Sequence, residues 1–180
     1  VLAGLLGLVL AGLWVYVVLS FSRRHLSLTA ELRNAIERRE ILVYYQPIVD
    51  LATGHCTGAE ALARWSRANG DMVSPDVFVP MAEEAGMITE LTLAVLELVL
   101  RDIGSLLRAH PAIAININLS PQDLESKRLL RALVSGLSEA GLPASAIKLE
   151  LTERALLDSD LPRRRINELR QLGHAVAIDD

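Results

Sequence analysis

Cysteine is nearly absent from this chain: Cys56 stands alone among 180 residues. No internal disulfide is available, which fits a reducing compartment. Aromatic residues make up only 4%, which removes the stacking surface a single-strand nucleic-acid binder needs. Basic charge is not in excess, with 18 Lys and Arg against 22 Asp and Glu and a net charge of -4. A partner held by neutralising the phosphates of a nucleic-acid polymer is therefore excluded. Histidine forms no cluster with itself or with Cys56, since His25, His55, His110 and His174 are scattered, so surface and loop roles are their default.

Charge of either sign is missing from Val1 to Phe21. At 1.5 Å per residue a helix over that stretch covers about 30 Å, the thickness of a bilayer's hydrocarbon core. Residues 1–21 are read as a transmembrane helix, with a signal peptide or a buried core helix as the alternatives. A signal peptide carries a basic region ahead of its apolar run, and none stands here. Arg23, Arg24, Arg33, Arg38 and Arg39 follow, so the positive-inside rule places everything downstream in the cytoplasm. The chain begins with Val and stops at Asp179-Asp180, so a piece of a longer protein is expected.

What is present divides into two further segments. Residues 22–40 read as a juxtamembrane linker helix, because Leu28, Leu32 and Ile36 recur every four residues; a polar tether is the default role. Residues 41–180 read as one domain. The run from Ile41 to Val49 and the stretch from Gly58 to Trp65, separated by the turn residues Thr53-Gly54, suit an antiparallel pair. Pro47 cannot donate to a ladder, so the first strand lies at an edge or is irregular near Gln46. Ser74-Pro75-Asp76 supplies a helix start, and the helix should run to about Ala85, stopped by Gly86. A long helix is expected over about Thr89 to Ala109, closed by His110-Pro111.

Three similar units follow: alternating strands over Ala112 to Ser120, Ile147 to Glu153 and His174 to Asp180, with a helix capped at Ser120 and another from about Pro162 to Leu172. Asn118, Glu150 and Asp179 are spaced by about thirty residues, the length of one βα unit, which implies parallel strands joined by helical crossovers.

In the Gly58 to Trp65 strand, Glu60, Leu62 and Arg64 share one face and Ala59, Ala61 and Ala63 the other. Four residues along a strand is roughly 13 Å, too far for Glu60 and Arg64 to pair directly. Successive strands then deliver Glu60, Asn118, Glu150 and finally Asp179 with Asp180. In a (β/α)8 barrel the C-terminal strand ends converge on one mouth, where active sites sit. Carboxylates and an amide carbonyl are hard donors suited to Mg²⁺ or Mn²⁺. Structural alternatives stand beside this reading. Asn118 could be a capping residue, Glu150 could simply pair with Lys148 on the same face, and Asp179-Asp180 could begin a loop.

The pieces Tyr45-Gln46-Pro47-Ile48-Val49-Asp50-Leu51, Glu60-Ala61-Leu62 followed by Arg64-Trp65, Phe78-Val79-Pro80-Met81-Ala82-Glu83, Asn118-Leu119-Ser120, Glu150-Leu151-Thr152-Glu153 and Ile178-Asp179-Asp180 together resemble the EAL-domain family of cyclic di-GMP phosphodiesterases. The resemblance implies an α/β fold, a TIM-like (β/α)8 barrel with one antiparallel strand, of which about the first five strands are present. It implies hydrolysis of cyclic di-GMP to linear pGpG in bacterial second-messenger signalling, with a two-ion site for Mg²⁺ or Mn²⁺. By position Glu60, Asn118, Glu150 and Asp179 look like metal ligands, with Asp180 serving the second ion. Glu60, Glu150, Asp179 and Asp180 would be catalytic, while Gln46, Leu62 and Arg64 would hold substrate, Arg64 through phosphate. Glu153 matches an acid of supporting role.

The family's lysine, further glutamate and glutamine lie on later strands and loops, and the only lysines here are Lys127 and Lys148. The segment expressed alone is therefore expected neither to close a barrel nor to hydrolyse substrate. The whole would sit in the bacterial inner membrane with its EAL domain in the cytoplasm. Family members often pair, so a homodimer is an expectation for which no residue pattern marks an interface. The alternative function is a degenerate EAL domain that acts as a non-catalytic cyclic di-GMP receptor or protein-interaction module.

Overall fold

The computed structural model describes residues 12–17, 19, 28–67, 69–152 and 160–179. Residues 12–17 and 19 are helical, and the rest of the expected membrane span lies outside the described residues. Among the described residues no helix is long and apolar enough to cross a membrane. Glu153 and Asp180 also lie outside them.

Six strands form one sheet among the described residues, in the order β1-β2-β4-β5-β6 with β3 paired to β2 alone. β1 (Ile41–Val49) and β2 (Cys56–Ser66) are the antiparallel pair. Their turn is set by Asp50, whose carboxylate accepts from the Thr53 amide and hydroxyl, both at 2.8 Å, and by Gly54 at φ 71°. β1 closes one end of the sheet, as Pro47 requires, although the ladder slips between Ile48 and Val49 rather than near Gln46. β3 (Met72–Val73) folds back on Trp65 and Ser66.

β4 (Ala114–Leu119), β5 (Ile147–Thr152) and β6 (Ala175–Asp179) continue parallel to β2. The crossovers are α2 (Pro75–Glu84) and α3 (Ile88–Ala109) before β4, then α4 (Pro121–Glu125) and α5 (Lys127–Glu139) before β5, and α6 (Asp160–Gln171) before β6. One helix is expected after Ser120, and two are found. Ser120 and Asp123 form a capping box on α4, and Ser126 then caps α5 by accepting from the Leu129 amide.

The alternation along each strand decides what is buried. Ala61, Ile115, Ile117, Leu119, Ile147, Leu149 and Leu151 face the helices and pack with Val95, Val99, Leu133, Leu137, Ile166 and Leu169. This apolar layer is the main core, and it leaves the even-numbered residues of β2, β4 and β5 on the opposite face of the sheet.

A second core lies beside it and includes α1, the helix over residues 28–37. Leu32 and Ala35 are fully buried there with Ile41, Trp65, Phe78 and Met81. Trp65 meets Phe78 edge to face at 6.1 Å between ring centres. Glu31 of α1 accepts from Arg67 Nε and Nη2, at 2.7 and 2.8 Å. Residues 28–37 thus pack against the domain through Leu32 and Ala35, which corrects the expectation of a polar tether there. The Leu28, Leu32, Ile36 stripe is a core-facing one, and the chain of β2 supplies the surface it meets.

Candidate active site

The site grows from the sheet face that the helices leave uncovered. On β2 this face carries Glu60, Leu62 and Arg64, each half-buried, while Ala61 and Trp65 point into the cores. Register then aligns the neighbours. Gln46 on β1 lies opposite Glu60, and Tyr44 lies opposite Leu62. On the other side, Glu60 pairs in register with Asn116, while Asn118 pairs with Glu150. Asp179 is opposite Thr152, two positions beyond the Ala177 that faces Glu150; its side chain is not among those described.

Side-chain hydrogen bonds cross this register. The Asn118 amide donates to Glu60 Oε1 at 2.7 Å. The Asn116 amide donates to Glu150 Oε1 at 2.6 Å. A carboxylate only accepts, so each amide must turn its NH₂ toward its partner, which leaves the Asn118 carbonyl oxygen to act as an acceptor or metal donor. Asn118 is therefore a strand residue facing the site. The capping role that its position suggested belongs to Ser120.

Lys148 Nζ stands 3.7 Å from Glu150 Oε1, so the lysine pairing expected as an alternative is present. It shares the oxygen with Asn116. Arg64 hydrogen-bonds the Ala63 carbonyl at 2.8 Å and lies over the Tyr44 ring, 5.5 Å from its centre. That contact fixes a cation at the edge of the site by ring electrostatics and packing.

A cleft of about 560 Å³ opens beside these residues, lined among others by Leu62, Arg64, Asp76, Glu83, Asn118 and Ser120. Leu62, Arg64 and Asn118 are thus brought to one cavity, whereas Gln46, Glu60 and Glu150 meet it only through the sheet face. Asp76 and Glu83 come from α2, and the residue pattern alone does not place them at the site. Asn116 and Tyr44 were likewise missed, and the signal for both was their place in the same period-two pattern as Asn118 and Gln46.

Among the described residues no group of three His, Cys, Asp or Glu side chains forms a metal cluster. Glu60, Asn118 and Glu150 nevertheless form an all-oxygen donor set on adjacent parallel strands, the type that suits a hard divalent cation.

The family described as the EAL domain matches residues 29–180. The chain belongs to the EAL domain family. A relative from Escherichia coli (strain K12), probable cyclic di-GMP phosphodiesterase PdeB, is 41% identical over 175 residues, which covers 97% of this chain and 34% of the relative. Cyclic di-GMP phosphodiesterase NbdA of Pseudomonas aeruginosa is 35% identical over 161 residues, covering 87% of this chain and 20% of the relative. This chain therefore spans about a third or less of these two relatives.

Among solved structures, PaMucR phosphodiesterase in its c-di-GMP complex superposes with a TM-score of 0.78 at 32% identity, covering 86% of this chain and 63% of that one. The EAL enzyme Bd1971 in its cAMP and cyclic-di-GMP bound form gives a TM-score of 0.78 at 28% identity, covering 88% and 45%. The sheet described above is thus the TIM-like α/β arrangement of EAL domains, with β1 and the short β3 antiparallel to β2.

Proposed function

We propose that this EAL domain hydrolyses one phosphodiester bond of cyclic di-GMP to give linear pGpG, using two divalent ions, Mg²⁺ or Mn²⁺. The observation that carries the reading is the convergence of Glu60, Asn118 and Glu150 on one sheet face, with Asn118 held against Glu60 at 2.7 Å. Glu60, Asn118, Glu150 and Asp179 would hold the ions, with Asp180 serving the second. When bound, the ions would make water a competent nucleophile near neutral pH and offset charge at phosphorus. Arg64 would hold a phosphate oxygen through its guanidinium, already aimed by the Tyr44 ring. Leu62 would pack against a base or ribose in the cleft, and Gln46 would donate or accept at its β1 edge. Strand-borne ligands suit this task because their backbone geometry is fixed before substrate arrives.

The reading extends to placement: residues 1–21 would anchor the protein in the bacterial inner membrane with the EAL domain in the cytoplasm. Leu13, Trp14, Val15, Tyr16, Val17 and Leu19 are each at least half exposed, an apolar surface that a bilayer would cover. The match to PdeB over 97% of this chain includes most of that stretch.

The test is hydrolysis of cyclic di-GMP by the intact protein with Mg²⁺ or Mn²⁺, comparing wild type with Glu60→Ala. Turnover in wild type and its loss in the variant are expected. Equal activity in both would remove Glu60 from the site. Tight nucleotide binding without turnover in wild type would favour the receptor reading instead.

A further inference from the structure

Asn116 has no role in the reading above, yet among the described residues it is the most buried polar one on the site's sheet face, at 5% exposure. Its Cα pairs in register with Glu60 on one side and Lys148 on the other. Its amide ignores both and reaches two residues along β5 to Glu150 Oε1, at 2.6 Å. The diagonal between adjacent strands is about 7–8 Å between backbones, a distance that one amide and one glutamate bridge only when both lean toward each other. Glu150 has three rotatable side-chain bonds and a cationic neighbour, Lys148, 3.7 Å from the same oxygen. Asn116 and Lys148, register partners across β4 and β5, thus meet the same Glu150 oxygen, the amide at hydrogen-bond distance and the ammonium more loosely.

We propose that Asn116 is a positioning residue for the divalent-ion site, holding the Glu150 carboxylate where it can share an ion with Asn118 and Glu60. This rests on the proposed function, since it presumes that Glu150 is a ligand. Groups that orient a ligand through a hydrogen bond tune metal affinity, and their loss weakens binding by about 10–100-fold. Asn116 serves better than a charged residue would, because it donates without adding a competing anion or cation.

The experiment is Mn²⁺ titration calorimetry on the intact protein without nucleotide, comparing wild type, Asn116→Val and Asn116→Ser. Valine keeps the strand and the bulk, whereas serine keeps a hydroxyl too short to reach Glu150. Thermal unfolding of the metal-free proteins runs alongside. Mn²⁺ binding weakened about tenfold or more in both folded variants is expected. An unchanged Mn²⁺ Kd in either folded variant overturns the proposal, and a lowered metal-free midpoint with unchanged Kd reduces Asn116 to a structural residue. A wild-type protein that binds no Mn²⁺ overturns the proposed function itself, a result distinct from wild-type binding that the variants retain.

Discussion

Asn116 and Asn118 stand two residues apart on β4 and reach in opposite directions, Asn116 to Glu150 on β5 and Asn118 to Glu60 on β2. Both point away from the helices because strand side chains alternate, and both amides serve a carboxylate that is not their own register partner. The central strand thus ties its two neighbours together through charge-assisted hydrogen bonds, each contributing about 1.5–3 kcal/mol where the acceptor is ionised.

Lys148 places positive charge beside Glu150 Oε1, where a divalent cation would have to compete with it. Under the proposed function, Lys148→Met removes that repulsion and tightens Mn²⁺ binding by about threefold. The gain is modest because the lysine is 38% exposed and its field is damped by solvent. Titration of wild type and variant side by side checks this, and weaker binding in the variant would mean that the ammonium supports the site.

Gly58 lies where β2 begins its parallel pairing with Ala114 of β4. A Cβ there would strike the Ala114 carbonyl oxygen, a backbone atom that cannot swing aside. Gly58→Ala is expected to destabilise the fold by about 1–3 kcal/mol. Under the proposed function it should also lower turnover, because Glu60 is only two residues further along. Denaturant unfolding reads the first effect, and an unshifted midpoint would show that the two strands part without cost.

Tyr45 faces the main core, and its buried hydroxyl has no hydrogen-bond partner among the described residues. Burial, reinforced by the Asp102 carboxylate, pushes its pKa up to about 12. Tyr45→Phe removes a desolvated polar group and keeps the ring, so stability should rise by about 1 kcal/mol. A drop of that size in the unfolding free energy would reveal a partner for the hydroxyl.

His174 is 3% exposed just before β6, with Nδ1 3.3 Å from the Ile147 carbonyl. Burial holds its pKa below the ordinary 6.5. The folded state therefore keeps the ring neutral where the unfolded chain already binds a proton. Its contribution to stability is complete above pH 6.5 and is lost as pH falls through the folded value. The thermal midpoint should decline below pH 6.5 in wild type and less steeply in His174→Asn. Parallel declines would assign the effect to other groups.

Much of this arrangement is legible in the residues themselves. Glu60, Leu62 and Arg64 announce their shared face through alternation with three alanines, and Ser74-Pro75-Asp76 announces α2, because both signals depend on neighbours in sequence. Asn116 is not legible in that way. Its alternation is the same as that of Asn118, and its partner lies 34 residues away on another strand, so only register shows which amide reaches which acid. Ser126 was hidden because the apolar run of α5 masks a second cap six residues after the first. β3 is too short to show a period at all.

The burial of α1 has a consequence for how motion passes through the chain. A slack connector would exchange its amide hydrogens independently of the domain. Leu32 and Ala35 are instead locked beneath Trp65 and Phe78, so the amides of α1 should exchange on the timescale of the β2 core, as one cooperative unit. Opening α1 would then have to break the packing around Trp65, the neighbour of Arg64 on β2.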